Sequence, residues 1–283
     1  MRSSLVCALL SVCGALAAPA TPPKPLSIQT VTLAQYDDGP AVPASSYFVP
    51  GETVFVSFQV SGYKTEGEDE RSIRLLWKIE SSDPAGKSII PPATGKVATG
   101  LSREDKNWLP KIRQTVQVPP FAPSGMYHIS LWLKDEIAGV EARKEADFQV
   151  RGRTVEPSPT LTIRNFQFYR GEDDKQPISI VAYRPGDTIW IRFDIVGFKL
   201  ADENRFDVAY GISVLRPNGD NLFQQPEAAA ERDQSFYPRM YVPAALSLNL
   251  TKDLSRGQYT IILTAIDKVG SQSAEARQAV TVE

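Results

Sequence analysis

Cysteine is nearly missing from this sequence of 283 residues, and both examples, Cys7 and Cys13, stand in its first segment. That segment, residues 1–17, reads as an export signal. Arg2 supplies the positive charge, Leu5 to Leu16 form a short apolar run, and Ala15-Leu16-Ala17 fits the small-x-small rule for cleavage. The run falls short of the roughly 20 apolar residues that a membrane-spanning helix needs, so no integral membrane segment is expected in the mature chain. Cleavage after Ala17 removes both cysteines, and the exported chain must then rest on its core alone, without a disulfide. A cysteine-free exported protein points to a bacterial periplasm, cell surface or extracellular space.

Histidine is as scarce. The single His128 cannot furnish the several ligands of a common zinc site. It is also the one imidazole available to a serine-based triad, and strand alternation turns it away from Tyr127 toward an outer face. No Gly-x-Ser-x-Gly, Walker loop or His-Glu-x-x-His occurs. Basic runs are absent too. The formal net charge is −2, and one unit more negative without Arg2, which excludes nucleic acid as a partner and disfavours anionic membranes. No segment carries a long helical period.

What the chain has instead is itself, twice. Leu26-Ser-Ile28-Gln-Thr-Val31-Thr-Leu33 reappears as Leu161-Thr-Ile163-Arg-Asn-Phe166-Gln-Phe168. Phe48-Val-Pro50-Gly51-Glu-Thr-Val54 reappears as Tyr183-Arg-Pro185-Gly186-Asp-Thr-Ile189, and Val60-Ser-Gly62-Tyr-Lys64 as Ile195-Val-Gly197-Phe-Lys199. Later, Asp83-Pro84-Ala-Gly86 meets Arg216-Pro217-Asn-Gly219, Gly125-Met-Tyr127 meets Gly257-Gln-Tyr259, and Asp135 meets Asp267. Ordered similarity at this many points implies an internal duplication. Its two copies span 24–150 and 159–283, and the segment 151–158, with Pro157 and then Pro159, is a short semi-rigid linker.

Each copy alternates at period two. Val54-Phe-Val56-Ser-Phe58-Gln-Val60 and Ile189-Trp-Ile191-Arg-Phe193-Asp-Ile195 are launched by Pro-Gly, a turn pair. About seven short strands per copy predict an all-β chain of two tandem antiparallel β-sandwiches. These residues resemble immunoglobulin-like and fibronectin-type sandwiches: Gly-x-Tyr at Tyr127 and Tyr259 is similar to the tyrosine corner, and Trp77 and Tyr210 take the place of the core aromatic on the third strand. Tyr183 to Ile189 is also similar to the opening of macroglobulin-like domains. The inter-sheet cysteine pair of antibody domains and the thioester motif of protease-trapping macroglobulins are both absent.

Candidate sites follow from alternation and from charge. Phe55, Trp132, Trp190, Ile262 and Ile266 fall on nominally outer faces, and Trp108 sits in a long middle loop. Large apolar groups there predict either a partner surface or a cover from within the chain. Acidic loops gather Glu66, Glu68, Asp69 and Glu70, Asp37 with Asp38, and Glu172 with Asp173 and Asp174. Glu156, Asp202, Glu203 and Asp267 would meet at the linker, where calcium would find oxygen ligands, against the simpler reading of solvated loop charges. No other cofactor is expected. Asn249-Leu-Thr251 matches a glycosylation sequon inside an expected strand. The function expected is non-catalytic: a binding or spacer module with a protein or polysaccharide partner. The rivals are sugar binding on the tryptophans, a subunit role in a larger surface assembly, and a two-carboxylate glycosidase, for which no cleft-forming insertion is present.

Overall fold

The computed structural model describes residues 24–68, 70–102 and 104–283. The export signal and Asp69 lie outside the described residues. The first half contains β1 (Ser27–Ala34), β2 (Tyr47–Phe48), β3 (Thr53–Ser61), β4 (Arg71–Ser82), β5 (Ala93–Leu101), β6 (Lys111–Gln117), β7 (Gly125–Asp135) and β8 (Val140–Val150). The second contains β9 (Thr162–Tyr169), β10 (Ala182–Tyr183), β11 (Thr188–Val196), β12 (Phe206–Leu215), β13 (Asn221–Asp233), β14 (Tyr241–Asn249), β15 (Gly257–Asp267) and β16 (Gln272–Val282). The chain is all-β. Single 3-10 turns at Asp105–Asn107 and Asp202–Asn204 are the helical elements among the described residues, and no helix is long and apolar enough to cross a membrane.

Strands pair only within their own half. A three-stranded sheet β1-β3-β6 faces a five-stranded sheet β2-β8-β7-β4-β5; β9-β11-β14 faces β10-β16-β15-β12-β13 in the same order. Eight strands per half replace the expected seven. The additional ones, β2 and β10, are two residues long and lie parallel to β8 and β16. Each stands just before the Pro-Gly turn, where the chain crosses from one sheet to the other. Its short run covers an edge that would otherwise present unpaired backbone.

Alternation works as expected in β3, where Val54, Val56, Phe58 and Val60 are at most 1% exposed. Two features recur at corresponding places. Gly62 and Gly197 both sit at φ +75, and a Cβ there would stand 2.1 Å from the Pro25 carbonyl oxygen and 2.0 Å from that of Thr160, so only glycine fits. Tyr127 donates its hydroxyl to the Pro123 carbonyl (2.9 Å) and Tyr259 to that of Ser255 (2.8 Å), each four residues back. Tyr210 is buried and meets Phe193 edge-on at 5.5 Å. Trp77 is only half-buried: its indole lies across Gly95 on β5, in the volume a side chain there would need.

The buried apolar residues form two clusters. One consists of second-half residues. The other consists of first-half residues with one exception, Tyr237, which comes from the loop between β13 and β14.

Candidate binding surfaces and the junction between the halves

The outer-face aromatics do not form one platform. Trp132 is half-buried on β7, donates its indole N–H to Glu141 (2.8 Å), and stands between Lys78 and Arg143 across the sheet. Trp190 lies in the other half, on the three-stranded sheet, half-buried between Tyr169 and Ser247. Trp108 is 38% exposed in its loop, and its carbonyl accepts the Tyr63 hydroxyl at 2.6 Å. Phe55 lines a shallow hollow of about 250 Å³ with Tyr36 and Arg113. Asp38, on the rim of that hollow, is held by Lys111 (2.5 Å) and Arg113 (2.6 Å).

Ile262 departs from expectation. It points outward by alternation yet is 7% exposed, and Ile266 on the same face is half-buried. A bulge in β13 lies on this part of the sheet. Tyr210 pairs with Ala229 and Ile212 with Gln225, so Pro226, Glu227 and Ala228 stand opposite the single residue Gly211. A Cβ on Gly211 would lie 2.1 Å from the Pro226 carbonyl oxygen, which places the bulge over the outer face. Glu227 reaches Lys268 at 2.9 Å and ties it down. Proline suits this position because β13 is an edge strand and the ladder loses no inner donor.

Three of the four residues expected to hold calcium have side-chain partners of their own. Asp267 is fully buried. Its Oδ2 accepts from the Lys199 N–H (2.8 Å) and the Gln272 side chain (3.2 Å), and its Oδ1 from the N–H groups of Val269 and Gly270 (3.0 Å each). Asp135 does the same in the first half, with Lys64 (2.7 Å), Ile137 (2.9 Å) and Ala138 (3.1 Å). Both carboxylates tie the loop after one strand to the hairpin after another, which leaves little for a metal. Glu156 pairs with Arg164 at 3.3 Å, and Glu203 accepts from Gln234. Asp202 opens the 3-10 turn and is exposed. Among the described residues no three His, Cys, Asp or Glu side chains are grouped as a metal site. Elsewhere, Arg192 takes the backbone carbonyls of Glu172 and Asp174 rather than their carboxylates. His128 is exposed beside Asp147 at 2.7 Å, as alternation placed it.

A junction that composition and alternation do not announce joins the halves. Tyr237 is 7% exposed within the first half's core, and its hydroxyl donates to Asp83 Oδ2 at 2.8 Å. The other Asp83 oxygen accepts the N–H groups of Ala85 (2.9 Å) and Lys87 (2.8 Å). Burial first, and then the hydrogen bond to Asp83, push the Tyr237 hydroxyl far above the usual 10, and burial pushes that of Tyr127 up to about 12. Beside this seat Phe121 meets Tyr241 edge-on at 5.6 Å, and the Arg239 guanidinium covers Phe121 at 4.2 Å.

The segment 151–158 is fastened to both halves by its first three residues. Arg151 donates its N–H to Phe48 (2.8 Å) and stacks on Tyr47 (3.7 Å), and Ser124 donates to the Gly152 carbonyl (2.7 Å). Arg153 then reaches into the second half, where its guanidinium meets Asp194 at 2.5 Å. Asp194 is fully buried and also accepts from Asn165 at 2.7 Å.

One cavity stands out for its apolar lining. It has a volume of about 380 Å³ and opens in the second half between β13 and β14, against Val214, Leu222, Leu250, Leu254, Tyr259 and Ile261.

Among the solved structures that overlap with the chain are two streptococcal C-terminal domains. The C-terminal domain of the antigen I/II polypeptide BspA of Streptococcus agalactiae shares 8% identity, with 92% of this chain and 100% of that chain covered and a TM-score of 0.29. The C-terminal domain of the antigen I/II-family protein AspA of Streptococcus pyogenes shares 9% identity over 92% and 99%, with a TM-score of 0.30. Superpositions this loose fix no common fold. No family model matches the sequence, and no curated protein matches it either.

Proposed function

We propose that this chain is an exported, non-catalytic binding or spacer module. In this reading it consists of two immunoglobulin-like sandwich copies, 24–150 and 159–283, held at a fixed angle through 151–158. The observation that carries it is Tyr237: a side chain of one half completes the core of the other, 154 residues away in sequence, and bonds a buried carboxylate there. The Arg153–Asp194 pair supports the same reading from the opposite direction. Two sandwiches joined only by a free linker would have no reason to bury either group, because an unpaired buried carboxylate costs several kcal/mol. The tryptophans lie on separate surfaces, so no single observation favours sugar binding.

The mature chain's lack of cysteine makes the test direct. Spin labels at Arg143→Cys and Arg277→Cys, both exposed, report the distance between the halves. A single narrow distribution is expected, and it should broaden in a Tyr237→Ala, Arg153→Ala background. A broad distribution in the otherwise unaltered chain would end the spacer reading.

A further inference from the structure

The corner that Tyr237 fills in the first half stands open in the second. Register defines the counterparts. Ser81 pairs with Ile129 where Val214 pairs with Ile261, and Val54 pairs with Val116 where Ile189 pairs with Leu248. The adjoining turns match bond for bond. The Asp83 N–H donates to Lys87 and the Gly86 N–H to Asp83, and Arg216 receives and donates in the same way with Asp220 and Gly219, at 2.8 and 2.9 Å in each case. Tyr127 and Tyr259 close the two corners with the same hydroxyl bond. In the first half Ile89 and Ala122 are 3% and 0% exposed. Their counterparts Leu222 and Leu254 are half-buried and line the 380 Å³ cavity, with Phe223 beside them 40% exposed.

The charges around the two corners differ. Asp83, which accepts the Tyr237 hydroxyl, is replaced by Arg216. The loop from β6 to β7, beside the occupied corner, carries no charge between Val118 and Gly125, and the loop that docks there brings a cation, Arg239. In the second half the corresponding loop carries Lys252 and Arg256 with Asp253 between them, all exposed, as is Arg216, so the rim is positive on balance. None of the three cations has a carboxylate within ion-pair distance among the described residues.

We propose that the open corner of the second half is a docking site for a protein segment that inserts one aromatic side chain between Leu222, Leu254 and Tyr259 and carries acidic residues beside it for Arg216, Lys252 and Arg256. The inference extends the two-copy reading. The first half supplies the occupied form of the site, with the 234–240 loop as its occupant, and the second half supplies the vacant form with the rim charge reversed. Such a site would let a further sandwich or a partner's loop continue the chain in the way the second half continues the first.

The probe is a fluorescein-labelled peptide with the sequence of residues 233–241 carrying Arg239→Glu, added to the mature chain and followed by fluorescence polarisation. Saturable binding is expected. It should weaken at least tenfold in Arg216→Glu, Lys252→Glu, whose exposed positions leave folding intact, and in Leu254→Trp, which fills the cavity. Absence of binding at millimolar peptide would overturn the proposal, and so would equal affinity for all three proteins. Saturable binding of laurate without any binding of the peptide would overturn it in favour of an amphiphile. Each of these outcomes leaves the spin-label distances across the junction unaffected, so failure here and failure of the spacer reading are separate results.

Discussion

Thr30 and Asn165 hold the same place in corresponding bulges of β1 and β9, and both adopt left-handed backbone, at φ 40 and 52. Asparagine tolerates that region and a β-branched threonine does not. Thr30→Asn should therefore stabilise the chain by about 1 kcal/mol, read as a rise in thermal midpoint with unchanged circular dichroism. Asp267 has the opposite prospect. Its two oxygens satisfy three N–H groups and a glutamine amide, so Asp267→Asn, which puts a donor where an acceptor is needed, should cost about 2 kcal/mol or more. The same filled valences predict that chelation of calcium leaves the thermal midpoint unchanged. Asp135 and Asp267 were legible in the repeat as a recurring pair. Their role was not, because a carboxylate that caps loops and one that binds a cation are the same letter at the same strand end. Only the distances separate them.

At the scale of elements, the bulge of β13 distinguishes the outer faces of the two five-stranded sheets. Gly211 leaves room for the Pro226 carbonyl, while its first-half counterpart Lys78 stands on an open face beside Trp132. Gly211→Ala should destabilise by about 2 kcal/mol as the bulge is forced away, and Lys78→Ala should stay within about 0.5 kcal/mol. Denaturant midpoints of the two variants test the contrast. The strands themselves were legible because period-two alternation and Pro-Gly turns are local signals. Alternation placed Ile262 on the outer side, but it has no means of showing that three residues of a neighbouring strand bulge beside that side. Tyr237 escaped for a related reason. It sits in a short loop among Phe236, Pro238 and Met240, with nothing periodic to mark it, and the carboxylate it meets belongs to the other half.

For the molecule as a whole, the buried tyrosines set a dependence on alkali. Tyr127 and Tyr183 are pushed up to about 12 by burial, and Tyr237, Tyr210 and Tyr241 are raised in the same direction and first by the same cause. A phenol whose value rises on folding contributes stability that is complete below its unfolded value near 10 and is lost as pH climbs from there through the folded value. Urea midpoints should hold level up to about pH 9 and fall steeply above 10. Tyr237→Phe should flatten part of that fall while lowering the plateau, because Asp83 loses a donor. The recurring segments were legible in sequence from Leu26 to Asp267. The way the halves meet was not, since neither half contains a second example of the contact to compare.

The fastened segment also bears on how the chain would carry a pulling force. Arg151 and Gly152 belong mechanically to the first half and Arg153 to the second, so almost no slack separates β8 from the group that grips β11. Tension applied at the two ends would not first straighten a tether. It would load the Arg153–Asp194 pair and the seat of Tyr237 together, and the chain would transmit the pull as a strut until that seat gave way.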